Sequence, residues 1–310
     1  MCYIKSLVSV VIPTHNRKEL IGRAVLSAQK QSYSNIEIIV VSDGSSDGTA
    51  DVMNTICYND DRVKFIEYYP GLGGNHARNE GIKAAKGEWV AFLDDDDEWH
   101  MDKIQLQIEK AAEDGTVGLI CTAINAVDDA SGAVSVFVPQ APKNSSREIL
   151  LNNCIGSTTT VMVRHELLDQ VGMFDEKLKA RQDYDLWIRL CQITKVAVVE
   201  KPCVEYHNLI SNGQISWNYE KYASAMLYME EKYKKIMQEK LTPAEIISVR
   251  VGEQLSLSRK AVKAGNGNQA RIYAKNALSI KPNFRAIIYY IASYMPLSFI
   301  KKVRNKVGRY

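Results

Sequence analysis

The stretch Trp89-Val90-Ala91-Phe92-Leu93-Asp94-Asp95-Asp96-Asp97-Glu98-Trp99 decides the fold of this 310-residue chain. A short apolar run, typical of a buried strand, stops directly at five consecutive acids. Open α/β sheets hold their ligands at the carboxyl ends of their strands, where these acids fall. Burying several unpaired carboxylates is costly, and a divalent cation removes that cost. The Asp-x-Asp spacing therefore predicts a site for Mg²⁺ or Mn²⁺, whose other ligands include oxygens of a substrate phosphate.

Strands and helices alternate along the first hundred residues, which predicts βαβ units and a mainly parallel sheet. Later segments are less regular, and the chain is helical from residue 219 onward. The predicted strands are 7–12, 36–41, 63–68, 89–93, 117–126, 134–138, 158–163, 196–199 and 204–206. The predicted helices include 75–85, 101–114, a short one from His165, 183–190, 268–278 and 283–294.

Three polar or glycine-rich loops follow three of these strands, so their side chains are expected at one edge of the sheet. Asp43 ends the second strand, where an acid commonly accepts from a ribose hydroxyl or a base N–H. Gly73 and Gly74 open a helix whose backbone N–H groups suit phosphate. Arg17 and Arg78 supply positive charge for a diphosphate. Each signal is weak alone, but together they predict a site for a nucleoside diphosphate and a metal.

The net charge of +3 hides an uneven distribution. Residues 1–253 hold 27 basic and 36 acidic residues, whereas the chain after Glu253 holds 12 basic residues and no acid. A basic tail favours an anionic partner. Six scattered cysteines without a Cys-x-x-Cys pair indicate reduced thiols of a cytoplasmic protein. We expect no spanning helix and no secretory signal, because the apolar stretches are too short.

Six stretches follow one another in an order that resembles the motifs of the family-2 glycosyltransferases. They are Val10-Val11-Ile12-Pro13-Thr14-His15-Asn16-Arg17, Asp43-Gly44-Ser45-Ser46-Asp47-Gly48-Thr49, Ala77-Arg78-Asn79-Glu80-Gly81, Phe92-Leu93-Asp94-Asp95-Asp96-Asp97, Phe174-Asp175-Glu176 and Asp183-Tyr184-Asp185-Leu186-Trp187. Members of that family are inverting enzymes that use nucleotide-activated sugars, often UDP-sugars, with Mg²⁺ or Mn²⁺. The resemblance implies an α/β GT-A catalytic domain over residues 1–218, with a Rossmann-like mixed sheet flanked by helices. An all-helical extension would occupy residues 219–310.

The resemblance also implies which residues bind the donor. Thr14, Arg17 and Asp43 would hold the base, the ribose and the diphosphate, and Arg78 would lie near the phosphates. The Asp-x-Asp region, which contacts the donor as well as the metal, would be formed by Asp94, Asp95 and Asp96. The chain departs from the family pattern at Ser42 and at Gln182, where many relatives have an acid.

A second group of matched residues would handle the metal and the proton. Asp96 is the expected metal ligand, with Asp94 and His207 beside it, although a lone histidine is more often a packed structural residue. Asp183 is the expected general base, because inversion needs a carboxylate that takes the acceptor proton opposite the leaving diphosphate. Asp185 is the rival base, and a helix cap is the plain alternative role for Asp183.

Other classes of protein fit less well. A nicotinamide-dependent dehydrogenase needs Gly-x-Gly-x-x-Gly after the first strand, and a nucleotidyltransferase needs a glycine-rich basic loop there. This chain has Pro13-Thr14-His15-Asn16 at that place. A sugar-nucleotide-binding scaffold without turnover and a nucleotidyltransferase remain the alternatives. Nucleic acid is not an expected partner, because the tail carries no recognised binding motif.

The expected partners are a UDP-sugar or other NDP-sugar donor and a glycan or lipid-linked acceptor, met at the cytoplasmic face of the membrane. An apolar segment, 294–300, precedes a basic cluster in the tail, a pattern that suits an anionic membrane surface. The open alternative is that the tail packs onto the catalytic domain or onto a second copy in a homodimer. Acceptor selection is expected at 128–157 and 209–217. The cluster consists of Lys301, Lys302, Arg304, Lys306 and Arg309.

Overall fold

The central element is a mixed nine-stranded sheet in this computed structural model, which describes residues 6–128, 132–208 and 218–295. Its strands are β1 Val8–Thr14, β2 Ile36–Asp43, β3 Val63–Tyr68, β4 Trp89–Phe92, β5 Glu98–Trp99, β6 Val117–Asp128, β7 Ala133–Phe137, β8 Met162–Arg164 and β9 Lys195–Asn208. Across the sheet they follow the order β3-β2-β1-β4-β8-β6-β9-β5, and β7 pairs with β6. The strand β1 therefore lies between β2 and β4, and the three loops that leave these strands share one edge.

The first four strands pair in parallel, as their sequence predicts. In register, Val8 lies beside Ile36 of β2 and beside Trp89 of β4. Every residue of β1 and β2 is buried. Continuous apolar strands of this kind are typical of a parallel sheet with both faces covered. The other half of the sheet is mixed: β4 and β6 pair antiparallel with β8, while β6 pairs in parallel with β9.

Eleven helices lie within the described residues. Their bounds are α1 Lys18–Gln29, α2 Thr49–Asn59, α3 Gly74–Ala84, α4 Lys103–Glu113, α5 Ser145–Leu151, α6 His165–Val171, α7 Gln182–Leu190, α8 Tyr219–Lys240, α9 Pro243–Lys263, α10 Gly267–Ile280 and α11 Phe284–Ala292. Thr242 starts α9 with a capping box, because its side chain accepts from the Glu245 backbone while Glu245 reaches back to the Thr242 N–H.

Helix α3 lies directly on β1 because Gly81 has no side chain. A Cβ at position 81 would lie 2.4 Å from Cγ1 of Val11. Any larger residue must push the helix away from the strand. This close approach holds Arg78, one turn earlier on α3, near the edge of the sheet where β1 and β4 end.

Two predicted segments differ in the structure. Residues 158–163 were expected as one strand, but Thr158–Thr160 forms a 3₁₀ turn before β8. The Thr160 hydroxyl donates to the Ser157 carbonyl at 2.7 Å, a local bond that competes with strand pairing. The two short strands expected at 196–206 form the single strand β9. Its register against β6 shifts around Pro202, which has no N–H to donate. The helix α5, in a stretch expected to be irregular, was not predicted.

The chain divides into two compact units. The first holds the sheet and helices α1–α4, α6 and α7, and the second holds helices α8–α11 with two short segments at 150–152 and 179–181. The second unit has a small core of Val251, Ala277 and Ala286. Helices α10 and α11 confirm the two helices expected in the tail. The basic cluster and the acceptor segment 209–217 lie outside the described residues.

Candidate active site

The acid run leaves the sheet at the expected edge. After β4 the chain turns, and the Asp97 N–H donates to the Asp94 carbonyl at 3.1 Å. The side chains of Asp94 and Asp96 are 22% and 15% exposed, whereas Asp97 is 1% exposed as a residue. Asp94 and Asp96 therefore reach the surface at Asp-x-Asp spacing, whereas Asp97 is buried.

Each accessible acid is paired with one of the two predicted arginines. The Arg78 guanidinium donates to Asp94 at 2.7 Å, and the Arg17 guanidinium donates to Asp96 at 3.0 Å. These arginines come from the start of α3 and from the residue that precedes α1, so three separate segments converge here. Without a substrate, the acids and the arginines neutralise one another.

Asp97 is buried, whereas the Asp95 side chain is 12% exposed and lies 3.9 Å from the Arg17 guanidinium. The Thr14 hydroxyl, at the end of β1, donates to Asp95 at 2.7 Å. Burial raises the pKa of Asp95 to about 6, although Arg17 and Thr14 act in the opposite direction. Burial, together with the neighbouring acids, raises the pKa of Asp97 well above its usual range. Burial therefore disfavours the charged forms of Asp95 and Asp97.

Asp43 binds the backbone of a neighbouring loop. Its carboxylate accepts from the N–H groups of Leu72 and Gly73 at 2.6 and 2.9 Å, and from the Tyr68 hydroxyl at 2.9 Å. A Cβ on Gly71 would lie 2.6 Å from the Asp43 carbonyl oxygen, so the two loops touch. Asp43 thus positions the loop that opens α3. Its contact with a ribose or base stays a prediction.

His207 lies at the end of β9, next to the acid run. Its backbone N–H donates to Asp97 at 3.2 Å, and its Nε2 lies 3.4 Å from a carboxylate oxygen of Glu98. Across the described ranges, no three acidic, histidine or cysteine side chains converge in the manner of a metal centre. The ligand set of Asp96, Asp94 and His207 stays a prediction.

The two rival bases have different surroundings. Asp185 is fully buried and accepts from the Arg189 guanidinium at 2.7 and 3.2 Å, and Arg189 also donates to the Val171 carbonyl. Asp183 is half-buried at the start of α7, and its carboxylate accepts from the Tyr184 N–H at 2.8 Å. Asp185 is therefore committed to an ion pair with Arg189, and the assignment of Asp183 as the general base stays a prediction.

Several residues that position the site were not singled out from the sequence. Asn75 on α3 donates to the Asp175 and Leu178 carbonyls, and Asn79 bonds the Phe174 backbone in both directions. These bonds join two stretches that the family resemblance had matched separately. The signal available in the sequence was the pair Asn75 and Asn79, the second of which lies inside the matched stretch 77–81.

A buried lysine belongs to the hydrogen-bond network that holds the 3₁₀ turn at Thr158–Thr160. Lys103 on α4 is fully buried, with its ammonium 3.9 Å from the Trp99 ring and its proton donated to Gln107. Gln107 in turn donates to the Thr160 carbonyl, and the Trp99 indole N–H donates to the Thr159 carbonyl. Burial lowers the pKa of Lys103 to about 7. The network holds the 3₁₀ turn beneath the acids.

The five cysteines among the described residues are free thiols, as expected. Burial raises the pKa of Cys121 to about 12 and that of Cys203 to about 11, so neither is an activated nucleophile.

Among the described helices, none combines the length and the hydropathy of a membrane-spanning segment.

The fold is that of the GT-A class, as predicted. The chain belongs to glycosyl transferase family 2, whose family model matches residues 9–172. AmsB of Erwinia amylovora, an amylovoran biosynthesis glycosyltransferase, is 33% identical over 216 residues, which are 66% of this chain and 71% of that protein. WfgD of Escherichia coli is 30% identical over 214 residues, 68% of this chain and 80% of that protein. It is named a UDP-Glc:alpha-D-GlcNAc-diphosphoundecaprenol beta-1,3-glucosyltransferase.

Solved structures share the fold at low sequence identity. The mannosyltransferase PcManGT of Pyrobaculum calidifontis, in complex with GDP-Man and Mn²⁺, has a TM-score of 0.60 and 16% identity over 98% of this chain and 88% of its own. TarS of S. aureus in complex with UDP has a TM-score of 0.55 and 17% identity over 96% and 91%. These likenesses establish the architecture, and the family membership rests on the sequence matches.

Proposed function

We propose that this enzyme transfers a hexosyl or N-acetylhexosaminyl group from a UDP-sugar to a hydroxyl of a glycan or lipid-linked acceptor, with inversion. One observation carries the proposal: Arg78 and Arg17 hold Asp94 and Asp96 as ion pairs at the edge of the sheet. Two guanidinium groups suit a donor diphosphate, and two carboxylates suit a bound cation. The names of WfgD and of the TarS complex support UDP as the nucleotide.

The chemistry of the donor set fits Mg²⁺ or Mn²⁺. Asp94 and Asp96 supply hard oxygen ligands, and such cations often take only one or two carboxylates and complete their shell with substrate phosphates and water. A shell of that kind needs no cluster of three protein side chains. When bound, the cation neutralises the charge that develops on the departing diphosphate.

Donor binding exchanges one set of ion pairs for another. In this structure, Arg78 and Arg17 form ion pairs with Asp94 and Asp96. A bound diphosphate would pair with the two guanidinium groups, and Asp94 and Asp96 would then be the carboxylates that hold the cation. No charge is then left unpaired in a partly buried site, where unpaired charge is costly.

The Asp183 carboxylate is proposed to take the proton of the attacking acceptor hydroxyl. Its place at the start of α7 keeps it half-exposed, and a positioned carboxylate of this type contributes a rate factor of about 10²–10⁴. Residues 1–218 would form the catalytic domain and residues 219–310 the helical extension. The enzyme would act at the inner face of the membrane, where lipid-linked acceptors are presented.

A thermal-shift screen of UDP- and GDP-sugars, each with Mn²⁺ or with EDTA, tests the proposal. A donor at about 100 times its Kd stabilises the folded protein by about 2.7 kcal/mol. We expect this stabilisation with at least one UDP-sugar, and only when Mn²⁺ is present. Equal shifts with Mn²⁺ and with EDTA would count against the cation, and no shift with any donor would count against the nucleotide.

A scaffold that binds the donor without turnover is the second candidate. It is separated from the enzyme by measuring UDP release in the presence of an acceptor. Pyrophosphate release from a sugar phosphate and UTP would instead identify a nucleotidyltransferase.

A further inference from the structure

The outward face of α11 is apolar. Ala286 is fully buried, which shows which side of the helix faces the small core of the second unit. The other side carries Phe284, Ile287, Ile288 and Ile291, which are 75%, 44%, 49% and 52% exposed. Their spacing of three and four residues places them on one helical face. A contiguous exposed apolar face marks an interaction surface.

Basic side chains and tyrosines border this face. The Arg271 guanidinium lies 4.3 Å from the Tyr294 ring centre, and the Lys275 ammonium lies 5.7 Å from that of Tyr290. Arg285 lies on α11 itself, and no acidic residue follows Glu253 anywhere in the chain. Tyrosines and cations around an apolar centre are typical of elements that lie in the interface of a membrane.

We propose that the α11 face, defined as Phe284, Ile287, Ile288 and Ile291, binds the surface of an anionic lipid bilayer. Charge decides among the possible occupants. A second copy that met this face with its own α11 would bring another strongly basic segment against this one, and the basic cluster at 301–309 would repel Arg271 and Lys275 if it folded back. An anionic bilayer accepts the apolar side chains among its headgroups and pairs with the cations.

This inference rests on the proposed function, because a bilayer-bound enzyme meets a lipid-linked acceptor at the surface where that acceptor lies. It adds the surface that makes the contact. The contact is reversible, because four apolar side chains with surface charge give interfacial attachment and not insertion across the bilayer.

Vesicle co-sedimentation of the full chain tests the inference. The probes are vesicles of phosphatidylglycerol and of phosphatidylcholine, at low and at high salt. The test variant is Ile288→Glu with Ile291→Glu, and the matched control is Leu26→Glu with Ile193→Glu, which alters two exposed residues of the first unit. Thermal unfolding of each variant establishes that it is folded.

We expect binding to phosphatidylglycerol alone, weakened by salt because surface charge is screened. The test variant should lower the vesicle partition coefficient roughly tenfold or more, because it places acids at the headgroups, and the control should leave it unchanged. Equal partition of the wild type and the test variant overturns the inference. So does a wild-type dimer that the test variant converts to a monomer, since the face is then a contact between copies. Donor binding, measured in parallel, shows separately whether the proposed function fails.

Discussion

Asp183 and Asp185 differ by two positions, and their surroundings predict opposite consequences when each is changed to asparagine. The Asp185 carboxylate is fully buried and is held by Arg189. Asp185→Asn leaves that guanidinium without its countercharge, and breaking a buried pair from one side costs about 3–5 kcal/mol. At about 2 °C per kcal/mol for a chain of this size, the midpoint of thermal unfolding should fall by about 6–10 °C.

Asp183→Asn should leave stability within about 0.5 kcal/mol of the wild type, because the asparagine oxygen can still accept from the Tyr184 N–H. Donor binding should also persist, while transfer falls by about 10²-fold or more because an amide takes no proton. The assay pairs thermal unfolding with UDP release at saturating donor and acceptor. Asp183 is not the general base if Asp183→Asn turns over near the wild-type rate while Asp185→Asn is stable, binds donor and is inactive.

Three further predictions follow from contacts in the first unit. Asp96→Asn should weaken UDP binding with Mn²⁺ and leave binding in EDTA unchanged; calorimetry that gives equal affinities for both proteins with Mn²⁺ would exclude Asp96 as a ligand. Lys103 has a pKa of about 7 when folded, below its unfolded value of 10.5, so the unfolded chain binds the extra proton and stability rises as the pH increases above 7. Urea unfolding should show a contribution of about 2 kcal/mol between pH 7 and pH 9 that Lys103→Met removes, and the same rise in both proteins would contradict it. Gly81→Ala should cost about 1–3 kcal/mol through its clash with Val11, and an unchanged urea midpoint would show that α3 is free to shift.

The parallel half of the fold could be predicted because β1, β2 and β4 are mainly apolar runs that end in loops with distinctive residues. The strand at 89–93 could be recognised from its residues alone, because all five are apolar, and both faces of β4 are indeed buried. The turn at Thr158–Thr160 escaped prediction because threonine suits strands, and its bonds to the Ser157 carbonyl, the Gln107 amide and the Trp99 indole appear only in the structure.

The components of the site were predictable, but their pairing was not. Arg17 and Arg78 were assigned to a diphosphate from their positions in the sequence, whereas the structure shows each of them holding an acid of the 94–96 run. Partners separated by 16 and 79 positions leave no local pattern in the chain. Asp183 was preferred to Asp185 from the family resemblance, and only the structure shows that Asp185 pairs with Arg189.

The proposed activity is the transfer of a sugar from a nucleotide donor to a hydroxyl acceptor. It is tested most directly by incubating the wild type with a radiolabelled UDP-sugar chosen by the thermal-shift screen, Mn²⁺ and a membrane lipid extract, and then counting label in the lipid phase. We expect label in the lipid phase that matches the UDP released, and loss of both in Asp183→Asn. Donor binding without any label transfer by the wild type would contradict it.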